Sequence, residues 1–151
     1  MEDTYTVRLD TKNGETKEFK LLDTAGEEDY QNMLDQWITS ADGFILVFAI
    51  NDMETFEAIP AKVRRIEKND AGKLPKILVG NKCDLQDERK VTVEQAKAYA
   101  DSIKAKYYET SALTDANKNV KKVFEECANM IIGAYSPNDE NKKPCFKCSI
   151  F

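Results

Sequence analysis

Apolar residues fall along this chain in two rhythms, and the switches between them mark out its elements. Residues Tyr5–Asp10 alternate and lead into Thr11-Lys12-Asn13-Gly14. Asn-Gly is a strong hairpin signal, because both residues tolerate the left-handed backbone of a tight turn. The return strand is predicted over Thr16–Asp23. Gly43–Ile50 is a continuous apolar run, and Lys76–Gly80 is a shorter one. Such runs suit central strands covered on both faces of a parallel sheet. A further short strand is expected at Tyr107-Tyr108.

Helical spacing fills the intervals. Phe56, Ile59, Val63 and Ile66 recur three or four apart, and so do Val93, Ala96, Ala100 and Ile103. Thr92 followed by Gln95 forms a capping box that starts the second of these helices. Val120, Val123, Phe124, Cys127, Met130 and Ile131 give a third helix a broad apolar face. Pro60 lies inside the first pattern and is predicted to kink it or delay its start. Strands and helices alternate after Asp23, which predicts one doubly wound α/β domain over residues 1–135. From Ser136 the periodicity ends, so residues 136–151 read as a flexible tail.

Composition narrows the chemistry. The chain has 151 residues, 22 Lys+Arg against 27 Asp+Glu, a net charge of -5 and no histidine. That length suffices for a single buried core. Without histidine the usual general base, the commonest metal ligand and any Ser-His or Cys-His pair are excluded. The acidic balance argues against nucleic acid as a partner. Cys83 and Cys127 lie in apolar segments and read as small buried hydrophobes. Cys145-Phe146-Lys147-Cys148 matches C-x-x-C as a string, outside the strand–helix setting that a redox dithiol needs. No secretory signal opens the sequence, and the run Phe44–Ile50 is too short to span a bilayer. A reducing, cytosolic compartment is expected.

Ligands of parallel α/β sheets bind at the carboxyl ends of strands. Three tetrapeptides fall there: Asp23-Thr24-Ala25-Gly26, Asn81-Lys82-Cys83-Asp84 and Glu109-Thr110-Ser111-Ala112. Each alone is most simply a polar turn, because Asp and Asn cap turns through their own backbone. All three in this order at strand ends are unlike chance.

On these motifs, and on the stretch from Glu2 to Ile132, the sequence resembles the Ras family of small GTPases. The resemblance implies a Ras-like P-loop NTPase G domain, with a mostly parallel sheet and one antiparallel hairpin. It implies that GTP or GDP binds with Mg²⁺. Asp23 would reach the metal through water, and Gly26, in the loop with Thr24 and Ala25, would sense the γ-phosphate. Asp84 would read guanine in a pocket shaped by Asn81 and Lys82, while Ser111 and the Ala112 amide would buttress that carboxylate and meet the guanine carbonyl. One carboxylate can accept both the ring N–H and the exocyclic amine of guanine; adenine would leave a buried charge unpaired.

The sequence also departs from the family. Its six glycines, at positions 14, 26, 43, 72, 80 and 133, include none in a G-x-x-x-x-G-K-[ST] loop. The reading is of an N-terminally truncated G domain, without the family's first strand, phosphate loop and most of its effector loop, and impaired as a result. That first strand lies between the hairpin and the Phe44–Ile50 strand, so an apolar gap is expected there. Glu27 takes the catalytic position where the family usually carries the Gln that orients the attacking water, which implies slow hydrolysis. Leu113 stands where many members have a Lys covering the base.

Cys148-Ser149-Ile150-Phe151 reads as a C-a-a-X box, with terminal Phe favouring geranylgeranyl. A single lipid anchors marginally, and Cys145 is the candidate for a second, palmitoyl signal. Two functions are expected from these features. One is a switch on the cytoplasmic face of the plasma membrane, lipid-anchored, with effectors, an exchange factor and a GTPase-activating protein as partners. The other is a non-catalytic interaction protein that uses the loop Glu27–Trp37 as its partner surface.

Overall fold

The computed structural model describes residues 2–10, 14, 16–24, 31–69, 71–113, 119–134 and 145–150. Alternation at the front builds the hairpin: β1 (Glu2–Asp10) pairs antiparallel with β2 (Thr16–Thr24), Val7 opposite Phe19. The Thr16 hydroxyl donates to Asp10 at 2.9 Å across the mouth of the turn. Gly14 sits at φ +77°, the conformation that glycine adopts without steric cost.

Helix α1 (Gln31–Ser40) follows, then β3 (Gly43–Ala49). The segment Glu27–Trp37, expected as a loop, is helical from Gln31 on. The Phe56–Ile66 pattern resolves into α2 (Met53–Glu57) and α3 (Ile59–Lys68), with Pro60 in the first turn of α3. Proline fits there because its missing N–H has no intrahelical acceptor anyway. Strand β4 (Lys76–Asn81), helix α4 (Val93–Ser102), β5 (Lys106–Glu109) and α5 (Val120–Ala134) continue the alternation. Both halves of the Thr92–Gln95 capping box are formed.

The last strand departs from the sequence pattern. Residues 145–150, expected in a flexible tail, form β6 (Cys145–Ile150). The sheet order is β1-β2-β6-β3-β4-β5, so β6 lies between the hairpin and β3. It runs parallel to both neighbours: Leu21 and Gly43 each pair with Cys148, and Asp23 and Ile45 each pair with Ile150. The expected gap is therefore filled by the chain itself. The physical reason is the demand of two facing sheet edges for backbone partners, which an extended segment can meet whatever its helical periodicity.

Both faces of the sheet are covered. Phe44, Leu46 and Phe48 of β3 pack with Ile38, Ile59, Val63, Ile66, Ala96 and Ala100 from α1, α3 and α4. Ile45, Ile77 and Val79 pack with Phe19, Leu21 and with Val123, Cys127, Ala128 and Ile131 of α5. Each of the Phe, Leu, Ile and Val side chains among them contributes about 1.5–3 kcal/mol on burial. Cys127 is buried as expected, whereas Cys83 is only partly so.

Candidate functional site

The carboxyl ends of β4 and β5 lie side by side, because the two strands pair in parallel through Gly80 and Glu109. That register brings two of the three sequence motifs together. Beyond β4 the chain turns sharply, with Lys82 at φ +61°. A non-glycine residue held there costs on the order of 1–3 kcal/mol and persists only when its surroundings fix it. Here the Cys83 amide donates to the Thr110 carbonyl at 3.0 Å, and the Leu85 amide to the Lys82 carbonyl at 2.9 Å.

Side chains stitch the two loops further. The Ser111 hydroxyl donates to Asp84 Oδ1 at 2.7 Å, and the Thr110 hydroxyl to Asn81 Oδ1 at 3.1 Å. Ser111 in turn accepts from the Leu113 amide at 3.3 Å. Ser111 is fully buried whereas Asp84 and Ala112 are exposed. A carboxylate is thus fixed from beneath and open to solvent above, ready to accept donors from a planar ligand. Leu113, at 59% exposure, presents an apolar side chain beside it in sequence.

A second layer supports the β5 loop. Glu109 accepts two hydrogen bonds from the Arg89 guanidinium, at 2.7 and 2.8 Å, and a third from the Tyr107 hydroxyl at 2.6 Å. Burial pulls the Glu109 carboxyl upward, but the Arg89 and Tyr107 hydrogen bonds outweigh it and leave the group below its ordinary value. Burial and the Glu109 contact push the Tyr107 phenol up. Burial, with the Glu109 and Asp84 charges, also raises the Cys83 thiol, so it is a poor nucleophile at neutral pH. Glu109 opens a recognised motif, so its place was visible in the sequence. Arg89 sits in the run Asp87-Glu88-Arg89-Lys90, which looks like solvated charge and gives no sign of its buried contacts.

The third motif stands apart from these two. Asp23 and Thr24 end β2, three strands from β4 in the sheet order. Ala25, Gly26 and Glu27 lie outside the described residues. A cavity of about 280 Å³ is lined by Phe48, Ala49, Thr55, Lys62 and Asn81. Burial pulls the Lys62 ammonium below its ordinary value. No group of three His, Cys, Asp or Glu residues able to hold a metal occurs among the described residues, and no helix there is long and apolar enough to cross a membrane.

A sheet with helices on both faces and paired loops at its parallel strand ends defines a doubly wound α/β protein. Comparison with known proteins identifies the group. The Ras family model matches residues 1–133, and this chain belongs to the Ras family. It is 43% identical over 115 residues to Ras-related protein O-RAL of Diplobatis ommata, covering 74% of this chain and 54% of that protein. It is 36% identical over 132 residues to Ras-like protein 2 of Drosophila melanogaster, covering 87% of this chain and 67% of the relative. Ras-related protein Ral-B of Rattus norvegicus is 43% identical over 115 residues, with 74% and 54% covered. The chain thus spans about half the length of the Ral relatives it matches.

Proposed function

We propose that this chain is built as a guanine-nucleotide switch of the Ras type, binding GTP and GDP and hydrolysing the one to the other. The observation that carries the reading is Asp84, exposed at its ligand side and held by the buried Ser111 hydroxyl. Its carboxylate would accept the ring N–H and the exocyclic amine of guanine, with Asn81 and Lys82 shaping the pocket wall. The Ala112 amide would donate to the guanine carbonyl. Adenine presents an acceptor where guanine presents a donor, so it would leave Asp84 desolvated and unpaired.

On the phosphate side, Asp23 would reach Mg²⁺ through water, and the amide of Gly26, beyond Thr24 and Ala25, would respond to the γ-phosphate. Mg²⁺ dehydrates reluctantly and keeps several waters, so a carboxylate that meets it through one of them fits it. The ion would neutralise charge that develops on the phosphoryl group. Glu27 would slow hydrolysis, since an ionised carboxylate cannot donate to the transition state. Effectors, an exchange factor and a GTPase-activating protein are the partners of such a switch. Geranylgeranyl at Cys148, with palmitoyl at Cys145, would hold it at the cytoplasmic face of the plasma membrane.

The test is direct binding. GDP binding with no measurable ADP binding is expected, and Asp84→Asn should exchange guanine for xanthine preference, because an amide can donate to the xanthine 2-carbonyl. Equal binding of ADP, or Asp84→Asn binding GDP unchanged, would overturn it. Single-turnover hydrolysis should speed up in Glu27→Gln, and Cys148→Ser should release the protein from membranes on fractionation. One observation favours a second reading: β6 ends beside Asp23, at the edge where the phosphate-side loop departs. That supports a non-catalytic interaction protein that occupies partners or membrane sites. Partner capture without any nucleotide binding would select it.

A further inference from the structure

Asp84 is held at its side chain by Ser111, and a circuit of side chains outside the three motifs holds its backbone as well. The Gln86 amide nitrogen donates to the Cys83 carbonyl at 2.8 Å, and the Gln86 amide oxygen accepts from Arg89 Nε at 3.0 Å. The other two guanidinium nitrogens of Arg89 donate to the Glu109 carboxylate, next to Thr110, whose carbonyl accepts from the Cys83 amide. The path thus leaves Cys83 by its carbonyl and returns by its amide. We propose that Gln86 and Arg89 are positioning residues for base recognition: together they lock the Cys83–Asp84 peptide against β5 and so aim the Asp84 carboxylate. The recognition half rests on the guanine reading of Asp84 given above.

Two successive peptide planes decide where Asp84 points. Each is rigid, so a hydrogen bond to its oxygen or nitrogen orients the whole unit. The Lys82–Cys83 plane is held at both ends: its oxygen accepts from the Leu85 amide at 2.9 Å, and its N–H donates to Thr110 at 3.0 Å. In the Cys83–Asp84 plane the carbonyl oxygen is held by Gln86. That plane carries the Asp84 Cα, and through it the direction of the carboxylate. The turn needs such holding, because Lys82 at φ +61° occupies a conformation that persists only when its surroundings fix it.

The chemistry of both residues suits the relay. Gln86 opens the short 3-10 turn Gln86–Glu88 and Arg89 caps it; a spacing of three in such a turn stacks the two side chains on one face. A carbonyl only accepts and a guanidinium only donates, so the group between them must do both at one end. Glutamine does so, whereas an ionised glutamate only accepts and a lysine only donates. Arg89 also donates to the Val91 carbonyl at 3.0 Å, so all three of its nitrogens are engaged. The single ammonium of a lysine cannot reproduce that fork. Gln86 itself is exposed, so replacing it leaves the core untouched.

The experiment compares the full chain with Gln86→Leu, which removes donor and acceptor, with Gln86→Glu, which keeps only the acceptor, and with Arg89→Lys. Hydrogen exchange at the Cys83 and Leu85 amides should quicken about tenfold or more in all three. In Gln86→Leu the β3 amides and the urea midpoint should stay as in the parent chain. Binding of GDP and of inosine diphosphate then reads the aim of the carboxylate. Inosine lacks the exocyclic amine, so the ratio of the two affinities reports whether Asp84 still meets both donors. The preference for GDP should fall about threefold or more in each variant, a change that a role confined to stability would not produce. Unchanged exchange at Cys83 and Leu85 in Gln86→Leu, an unchanged preference, or parental behaviour of Gln86→Glu would overturn the inference. A parent chain that binds no GDP would strike the guanine reading instead, and exchange at the turn would then decide whether Gln86 and Arg89 hold it.

Discussion

Ser111 and Asp84 meet at 2.7 Å across the ends of two neighbouring strands, 27 residues apart in sequence. Ser111 is wholly buried and Asp84 exposed, so the bond orients Asp84 from beneath and leaves its outer side open. Removing the donor leaves the carboxylate in place but free to rotate. Ser111→Ala should weaken GDP binding about tenfold, near the 1–1.5 kcal/mol of one such hydrogen bond. Displacement of a fluorescent GDP analogue measures it. An unchanged affinity would mean that backbone geometry alone positions Asp84.

The Arg89–Glu109–Tyr107 network should give the fold sensitivity at both ends of the pH scale. Glu109 is held below its ordinary value of 4.5, so its contribution is complete above that pH and disappears as pH falls through the lowered value. Tyr107 is raised above its ordinary value of 10.0, so its contribution is complete below pH 10.0 and is lost as pH rises beyond it. Thermal melts across pH should therefore fall at both extremes. Glu109→Gln should flatten the acid limb and Tyr107→Phe the alkaline limb, each lowering stability at pH 7 by about 1.5–3 kcal/mol.

Gly80 is kept small by Tyr107. A Cβ built on it would stand 2.6 Å from the Tyr107 hydroxyl oxygen and 3.1 Å from Ile50 and Phe48. Gly80→Ala should destabilise by about 1–3 kcal/mol, as overpacking of a rigid core does. In the Tyr107→Phe background the same substitution should cost less, because the nearest clashing atom is gone. A double-mutant cycle by urea denaturation tests for that coupling, and strict additivity would count against it.

The capping box of α4 gives a prediction confined to stability. Thr92 accepts from the Gln95 amide at 3.1 Å, and Gln95 accepts from the Thr92 amide at 3.4 Å. Thr92→Ala should lower stability by about 1 kcal/mol. Nucleotide affinity should stay as it was, since neither residue borders the β4–β5 loops. Parallel melting and binding curves separate the two effects.

The elements that sequence made visible are those whose periodicity matches their burial. Ile59, Val63 and Ile66 recur at helical spacing because one face of α3 is buried, and Thr92 with Gln95 announces a helix start by chemistry that is wholly local. That the Ser111–Ala112 loop meets Asp84 was legible only through the resemblance to the Ras family, and the parallel register of β4 and β5 is what brings the two ends together. Two things did not follow. Arg89 is polar in a polar run, and only the fold reveals that it turns inward to Glu109. The placement of β6 depends on two edges that lie 127 and 105 residues earlier in the chain, as Glu18 opposite Cys145 and Gly43 opposite Cys148, and no window around Cys145–Ile150 contains that information.

Among the described strands, the one in the middle of this sheet comes last in the chain. Every other described strand precedes β6 in the chain, so a ribosome finishes β3 and then elongates for on the order of ten seconds before β6 emerges. Unpaired backbone edges of a sheet are the kind of surface that recruits foreign strands. Among the described strands, the pairings around β6 are the longest-range in the sheet, and such contacts are the slow ones in folding. The centre of the described sheet is thus joined by residues far apart in the chain, and its closure sets the pace of the whole sheet.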